Sequence, residues 1–192
     1  MILFKNILAL VGLVAIIASG VLYMNVKNTL SEFDPGATKA YTELVQNILK
    51  YKDAASATVW RFPVEEGLTA DDIEKSLKNI ANELNIANVG ELPLSLDIAA
   101  KTEKPYRFVK IFLFCNSLTA AQMLDYNDAF SAYLPCRISL VEDKTGKLWL
   151  YSLNMDLMIY GGKPLPPALK AEAIKVKTII LEIMERAAEG DF

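Results

Sequence analysis

The sequence predicts an α+β fold, a two-layer domain with a mainly antiparallel sheet packed by helices, tethered by one N-terminal transmembrane helix. Three observations predict it. An uncharged apolar run fills residues 7–24. Short stretches rich in apolar and β-branched residues, "RFVKIFLFC", "CRISLVED" and "KLWLYSLN", lie between turn formers and read as strands. Toward the C-terminus, Leu169, Ala173, Val176, Ile180, Ile183 and Ala187 recur at alternating steps of four and three, which marks one long helix with a single buried seam.

Residues 1–30 read as a signal anchor. Lys5 precedes an apolar run of 18 residues, and at about 1.5 Å per residue that run nearly crosses a hydrocarbon core of about 30 Å. Ala18-Ser19-Gly20 has the small residues of a signal-peptidase site, so a cleaved leader is the competing reading. Val21 to Met24 carry the apolar run past that site, which favours an anchor. Either reading sends the rest of the chain across a membrane. Lys5 and the N-terminal amine, set against Lys27, orient it as a single-pass protein of a bacterial inner membrane with a periplasmic C-terminal domain. The lipid bilayer is then a partner through residues 7–24.

Residues 31–54 form a linker and an amphipathic helix. Asp34-Pro35-Gly36 stops a continuous helix from running out of the membrane. The segment "TKAYTELVQNILKYK" then carries Tyr41, Leu44, Val45, Ile48 and Leu49 on one face. Its polar face mixes Glu43 with lysines, so the stripe is expected to pack on the domain and not on a membrane surface.

Residues 55–192 make the domain. A strand over 56–64 sets Trp60 and Phe62 on one side. Thr69 and Asp72 approximate a capping box for a helix buried through Ile73, Leu77, Ile80, Ala81 and Leu84. The strand "RFVKIFLFC" is apolar on both sides near its end, as a central strand is, and Cys115 closes it. A short helix follows with Ser117 as its N-cap, ending before Pro135. The turn "DKTG" joins the next two strands as a hairpin. Pro164, Pro166 and Pro167 introduce the last helix, which runs to about Ala188 and is expected to lie against the sheet.

Composition narrows the function. The 192 residues are 53% hydrophobic, enough to bury the core of one domain, and show no internal repeat. Beyond the first thirty residues, 18 basic groups face 23 acidic ones, an acidic balance that disfavours a nucleic-acid partner. The chain has no histidine, which removes the commonest general base and the commonest transition-metal ligand together. Two cysteines cannot close a zinc site of the usual ligands.

The order "FCN…LPCRISLVEDKTGKLWL", with "AAQML" between, resembles the domain-of-unknown-function family 302 over residues 55–158. Its most specific marks are Cys115-Asn116 at the end of one strand and Pro135-Cys136 at the start of the next. The resemblance implies a curved antiparallel sheet with TATA-binding-protein-like topology and a tendency to dimerise. It implies no activity. The apolar leader and the long last helix are departures from the family's soluble members.

Cys115, Cys136 and Asn116 are the ligand or redox candidates, and no catalytic residue is assigned. The two sulfurs have three readings. They are apolar core residues, a structural disulfide between neighbouring strand ends, or a functional pair that is redox-active or binds a soft metal. Met155 and Met158 form a Met-x-x-Met pair just past the hairpin and add thioethers for copper or haem iron, although gap filling is the commoner use of methionine. Gly161-Gly162-Lys163 has no phosphate-loop spacing, and Asp125 and Asp128 read as solvated acids. The expectation is therefore a non-catalytic binding or accessory module, a homodimer or a subunit of a membrane complex. The alternative is a sulfur-ligand protein that handles copper, haem or thiol and disulfide electrons. An unrecognised hydrolase or isomerase ranks last.

Overall fold

The computed structural model describes residues 2–191. In chain order its elements are α1 (Ile2–Ser31), α2 (Ala37–Tyr51), α3 (Ala54–Ala57), β1 (Val59–Pro63), α4 (Ala70–Glu83), β2 (Ala87–Leu92) and α5 (Leu94–Thr102). Then come β3 (Val109–Cys115), α6 (Ser117–Tyr126), a 3-10 turn (Asp128–Tyr133), β4 (Cys136–Glu142), β5 (Leu148–Leu153), α7 (Asp156–Tyr160) and α8 (Pro167–Ala188). All strand pairs are antiparallel, in the order β1-β5-β4-β3-β2.

The register decides which side chains meet the helices. Phe112 stands opposite Ile138, Ile138 opposite Ser152, and Ser152 opposite Trp60, so one row of the pleat runs across four strands. Phe112, Phe114, Ile138, Leu140 and Leu150 on that face are fully buried, under α4 and α8. The α8 seam falls as its spacing predicts. Every one of its six residues is buried, and Met184 and Ala188 join them.

Local chemistry fixes the ends. The Thr69 hydroxyl accepts from the Asp72 amide while the Asp72 carboxylate accepts from the Thr69 amide, a complete capping box. In the hairpin, Asp143 accepts from the amides of Thr145 and Lys147, and Gly146 takes the left-handed conformation at φ +87°. Within α4, the buried Ser76 hydroxyl finds no hydrogen-bond partner among the described residues. An unpaired buried hydroxyl is a liability, so Ser76→Ala is expected to raise stability by about 1 kcal/mol in a denaturant melt. A destabilised variant would mean the hydroxyl has a partner.

At the β2 edge the covered face turns ionic. Lys110 Nζ lies 2.6 Å from Glu74 and 2.7 Å from Glu91, and Lys78 Nζ lies 2.6 and 2.8 Å from the same two carboxylates. Burial alone pushes the Glu91 carboxyl up, but Lys110, Lys78 and Asn88 outweigh it and bring it down to about 2. Its ordinary value is 4.5, so its stabilising contribution is complete above that pH and is lost as pH falls from there toward 2. Lys110→Met is accordingly expected to flatten the acid limb of a stability-against-pH curve. An unchanged limb would assign acid unfolding to other carboxylates.

Three expectations need correction. The strand placed at 56–64 is shorter, because Asp53 caps a single helical turn over Ala54–Ala57 before β1 begins. The N-cap of α6 is Asn116 and not Ser117, since the Asn116 side chain accepts from the amides of Leu118 and Thr119. The apolar stripe of α2 does not pack on the domain as a unit. The face turned to the body is buried at Ala37 and Ala40 and half-buried at Leu44, Asn47 and Tyr51, while Tyr41, Val45, Ile48 and Leu49 remain 41–71% exposed.

The start of α2 is nevertheless pinned to the body. Asp34 is buried and ion-paired to Lys170 of α8, its amide donates to the Gly162 carbonyl, and the Tyr41 hydroxyl donates to the Gly161 carbonyl at 2.6 Å. Burial pushes the Asp34 carboxyl up, but Lys170 and the Gly36 amide prevail and hold it below the usual range. Upstream, the helical segment Phe4–Ser31 is long and apolar enough to cross a membrane, with mean hydropathy 2.5 in its most apolar window and none of that window buried.

Candidate functional site

Because β3 and β5 run one way and β4 the other, the end of β3, the start of β4 and the end of β5 come together at one edge of the sheet. They bring Phe114 and Cys115, Cys136 and Arg137, and Ser152 and Leu153 to the floor of a half-enclosed pocket. Helix α6 supplies Asn116, Thr119 and Met123 to its walls, the 3-10 turn and the residue after it supply Phe130, Tyr133 and Leu134, and α8 supplies Ala173 and Val176. Met155 and Met158 close the remaining side. The volume is about 50 Å³. That is room for an ion or a few waters, well below the roughly 300 Å³ at which sites for drug-sized ligands begin.

The structure thus brings all five sequence candidates, Cys115, Cys136, Asn116, Met155 and Met158, to one pocket and adds Met123. Of the chain's eight sulfur-bearing residues, five line it. Met123 was not singled out from the sequence. The signal that points to it is its place one turn after Thr119 on a short amphipathic helix that begins beside Cys115.

The two cysteines are free thiols. Cys136 pairs with Phe114 and shares its face, whereas Cys115, one residue further along β3, starts from the other side of the pleat. That alternation opposes a disulfide, whose Cβ atoms must approach to about 3.8 Å. Both thiols still border the pocket because it opens where the strands end. Burial pushes the Cys115 thiol up. It pushes Cys136 to about 11, with Cys115 adding to the rise and Arg137 opposing it. Both are therefore protonated at neutral pH, unlike the activated thiolates of nucleophilic or redox cysteines.

The remaining polar groups are committed elsewhere. Asn116 Oδ1 caps α6, and Asn154 Oδ1 accepts from the Asp156 amide. The Asp156 carboxylate pairs with Lys177. Thr119 Oγ1 donates to Glu172 at 3.4 Å. The backbone of Gly161 and Gly162 serves the α2 clamp, and Asp125 and Asp128 face solvent. Among the described residues no three Cys, Asp or Glu side chains converge, so any ligand set in the pocket is built from two thiols and thioethers.

Comparison with known proteins agrees with this architecture. A family model described as "Domain of unknown function DUF302" matches residues 60–187. Among solved structures, the chain is similar to the uncharacterized conserved protein DUF302 from Bacillus stearothermophilus, with a TM-score of 0.55 and 16% identity over 68% of this chain and 98% of that one. That likeness concerns the fold. No curated protein matches the chain. Both sulfur-bearing strand ends, the pocket walls and α8 up to Ala187 fall inside the matched region, while α1 and α2 precede it. With well over half of its length matched, the chain belongs to the DUF302 family, to which it adds an apolar N-terminal helix.

Proposed function

We propose that this protein is a non-catalytic binding module, held by α1 on the periplasmic side of a bacterial inner membrane, whose pocket takes up a soft monovalent metal ion, Cu(I). The observation that carries the reading is the convergence of Cys115, Cys136, Met123, Met155 and Met158 on one pocket of about 50 Å³. Thiolate and thioether donors select Cu(I) over harder ions; the chain has no histidine, and among the described residues no carboxylate cluster favours those. Haem is disfavoured by volume. Thiol and disulfide exchange is disfavoured by the raised thiols.

The test is an anaerobic titration of the full-length protein in detergent with Cu(I) against a chromophoric chelator. The expected result is one ion withheld per chain, and its loss in the double variant Cys115→Ser, Cys136→Ser. Failure to compete with the chelator, or competition that survives the double variant, would overturn the reading.

A further inference from the structure

Helix α2 carries one broad apolar arc with two sides. One, through Ala37, Ala40 and Leu44, meets the body. The other, Val45, Ile48 and Leu49, centred about a quarter turn away, is left largely exposed, with Tyr41 at the boundary reaching back to the Gly161 carbonyl through its hydroxyl. A soluble helix normally buries its whole apolar stripe, so the exposed side of this one needs an occupant.

The chain itself indicates which. Helix α1, which carries the apolar run 7–24, ends at Ser31 and α2 begins at Ala37, so the start of α2 lies within about 20 Å of the end of α1 even if the link were extended. The link is in fact turned, by the Phe33 amide donating to the Leu30 carbonyl and the Ala37 amide to the Asp34 carbonyl. Lys50 and Lys52 flank the far end of the stripe, as suits anionic lipid headgroups.

We infer that the outer stripe of α2 lies in the lipid–water interface beside α1 and docks the domain on the bilayer. The inference rests on α1 as a membrane span and is independent of what the pocket binds. The docked helix cannot roll freely, because Asp34 and Tyr41 hold its first half and the Tyr51 ring lies 4.7 Å from the Arg61 guanidinium at its end. Docking therefore sets the attitude of the whole domain. A groove between α2 and the body includes Tyr133 and Leu153, which also line the sulfur pocket, so the pocket borders the body side of the docked helix.

The full-length protein reconstituted in nanodiscs of phosphatidylcholine and phosphatidylglycerol with brominated acyl chains provides the test. In a chain carrying Trp60→Phe and Trp149→Phe, so that the introduced tryptophan is the sole emitter, Leu49→Trp is expected to show fluorescence quenched at least about twofold more than Gln46→Trp on the polar face, with Val45→Trp repeating the result. Equal quenching at positions 46 and 49 would overturn the inference. So would blue-shifted emission at 49 without quenching, which marks a protein surface, such as a second copy of the chain, over the stripe. Failure of the chain to enter nanodiscs at all would instead remove the membrane span on which both this inference and the proposed location depend.

Discussion

Cutting Ile180 back to alanine is expected to lower the stability of the domain by about 2–5 kcal/mol, the range for emptying a fully buried aliphatic site. Ile180 has no exposed surface and sits midway along α8, in the one core that α4, α8 and the sheet share. Three residues of the covered sheet face, Phe112, Ile138 and Leu150, belong to the same cluster and are just as inaccessible, so little around the site is free to collapse into the space left. Lys175 on the outer side of the same helix provides the control, since Lys175→Ala is expected to stay within about 0.5 kcal/mol. Urea unfolding followed through Trp60 and Trp149 reads both. A loss below about 1 kcal/mol for Ile180→Ala with an unchanged denaturant slope would mean that α8 does not close the core. The seam divides its labour along its length, because Ala173 and Val176 line the sulfur pocket while Ile180 does not. Ile180→Ala should thus lower stability without changing ligand affinity in the fraction that remains folded.

What was legible in the sequence depended on whether local pattern and burial coincide. For α8, β3 and the β4–β5 hairpin they do, and the elements fall where spacing and turn residues put them. The edge strand β2 is different. Its sequence "ANVGEL" has one glycine, two polar residues and no alternation, and what makes it a strand is pairing to β3 through a register shift between Asn88 and Gly90. Tertiary pairing of that kind leaves no local signal. The partner of α2's apolar stripe was hidden for a related reason. The spacing of Tyr41, Val45, Ile48 and Leu49 states that a surface must cover them but not which one, and the buried alanines that face the body are too small to register as a stripe. In the site, the pairs Cys115-Asn116 and Pro135-Cys136 marked two strand ends correctly. Asn116 borders the pocket as expected, and its Oδ1 caps α6, because an N-cap and a ligand ask for the same side-chain oxygen at the same strand-to-helix junction. Met123 was missed because convergence on a pocket is a property of three dimensions.

The affinity of the pocket for Cu(I) is expected to climb steeply with pH and to lose about half of that slope in Cys136→Ser. A cysteine ligates the ion only as its thiolate, and both thiols are held protonated, Cys115 by burial, and Cys136, at about 11, by burial and by Cys115. Binding at neutral pH must then release two protons, one from each sulfur. While the pH stays below both folded-state values, each unit of rising pH lowers the apparent dissociation constant by up to about 100-fold. Serine in place of Cys136 removes one of those protons, so the dependence falls to about tenfold per unit. Affinity itself should drop by more than the 10–100-fold, roughly, that disturbing an outer-shell partner costs, because a direct ligand is lost. Cys136→Ala repeats the experiment without a buried hydroxyl and separates the loss of a ligand from the cost of a polar group in an apolar wall. Chelator competition between pH 6 and 8 reads the slope. A flat profile in the unaltered protein would show that neither thiol is a ligand and that the methionines, which do not titrate, hold whatever is bound. A full two-proton slope that persists in Cys136→Ser would show that Cys136 is not a ligand and that the second proton comes from another group. The pocket is thus read by proton count as much as by metal content, because two thiols kept neutral in an apolar site announce any ion that displaces their protons.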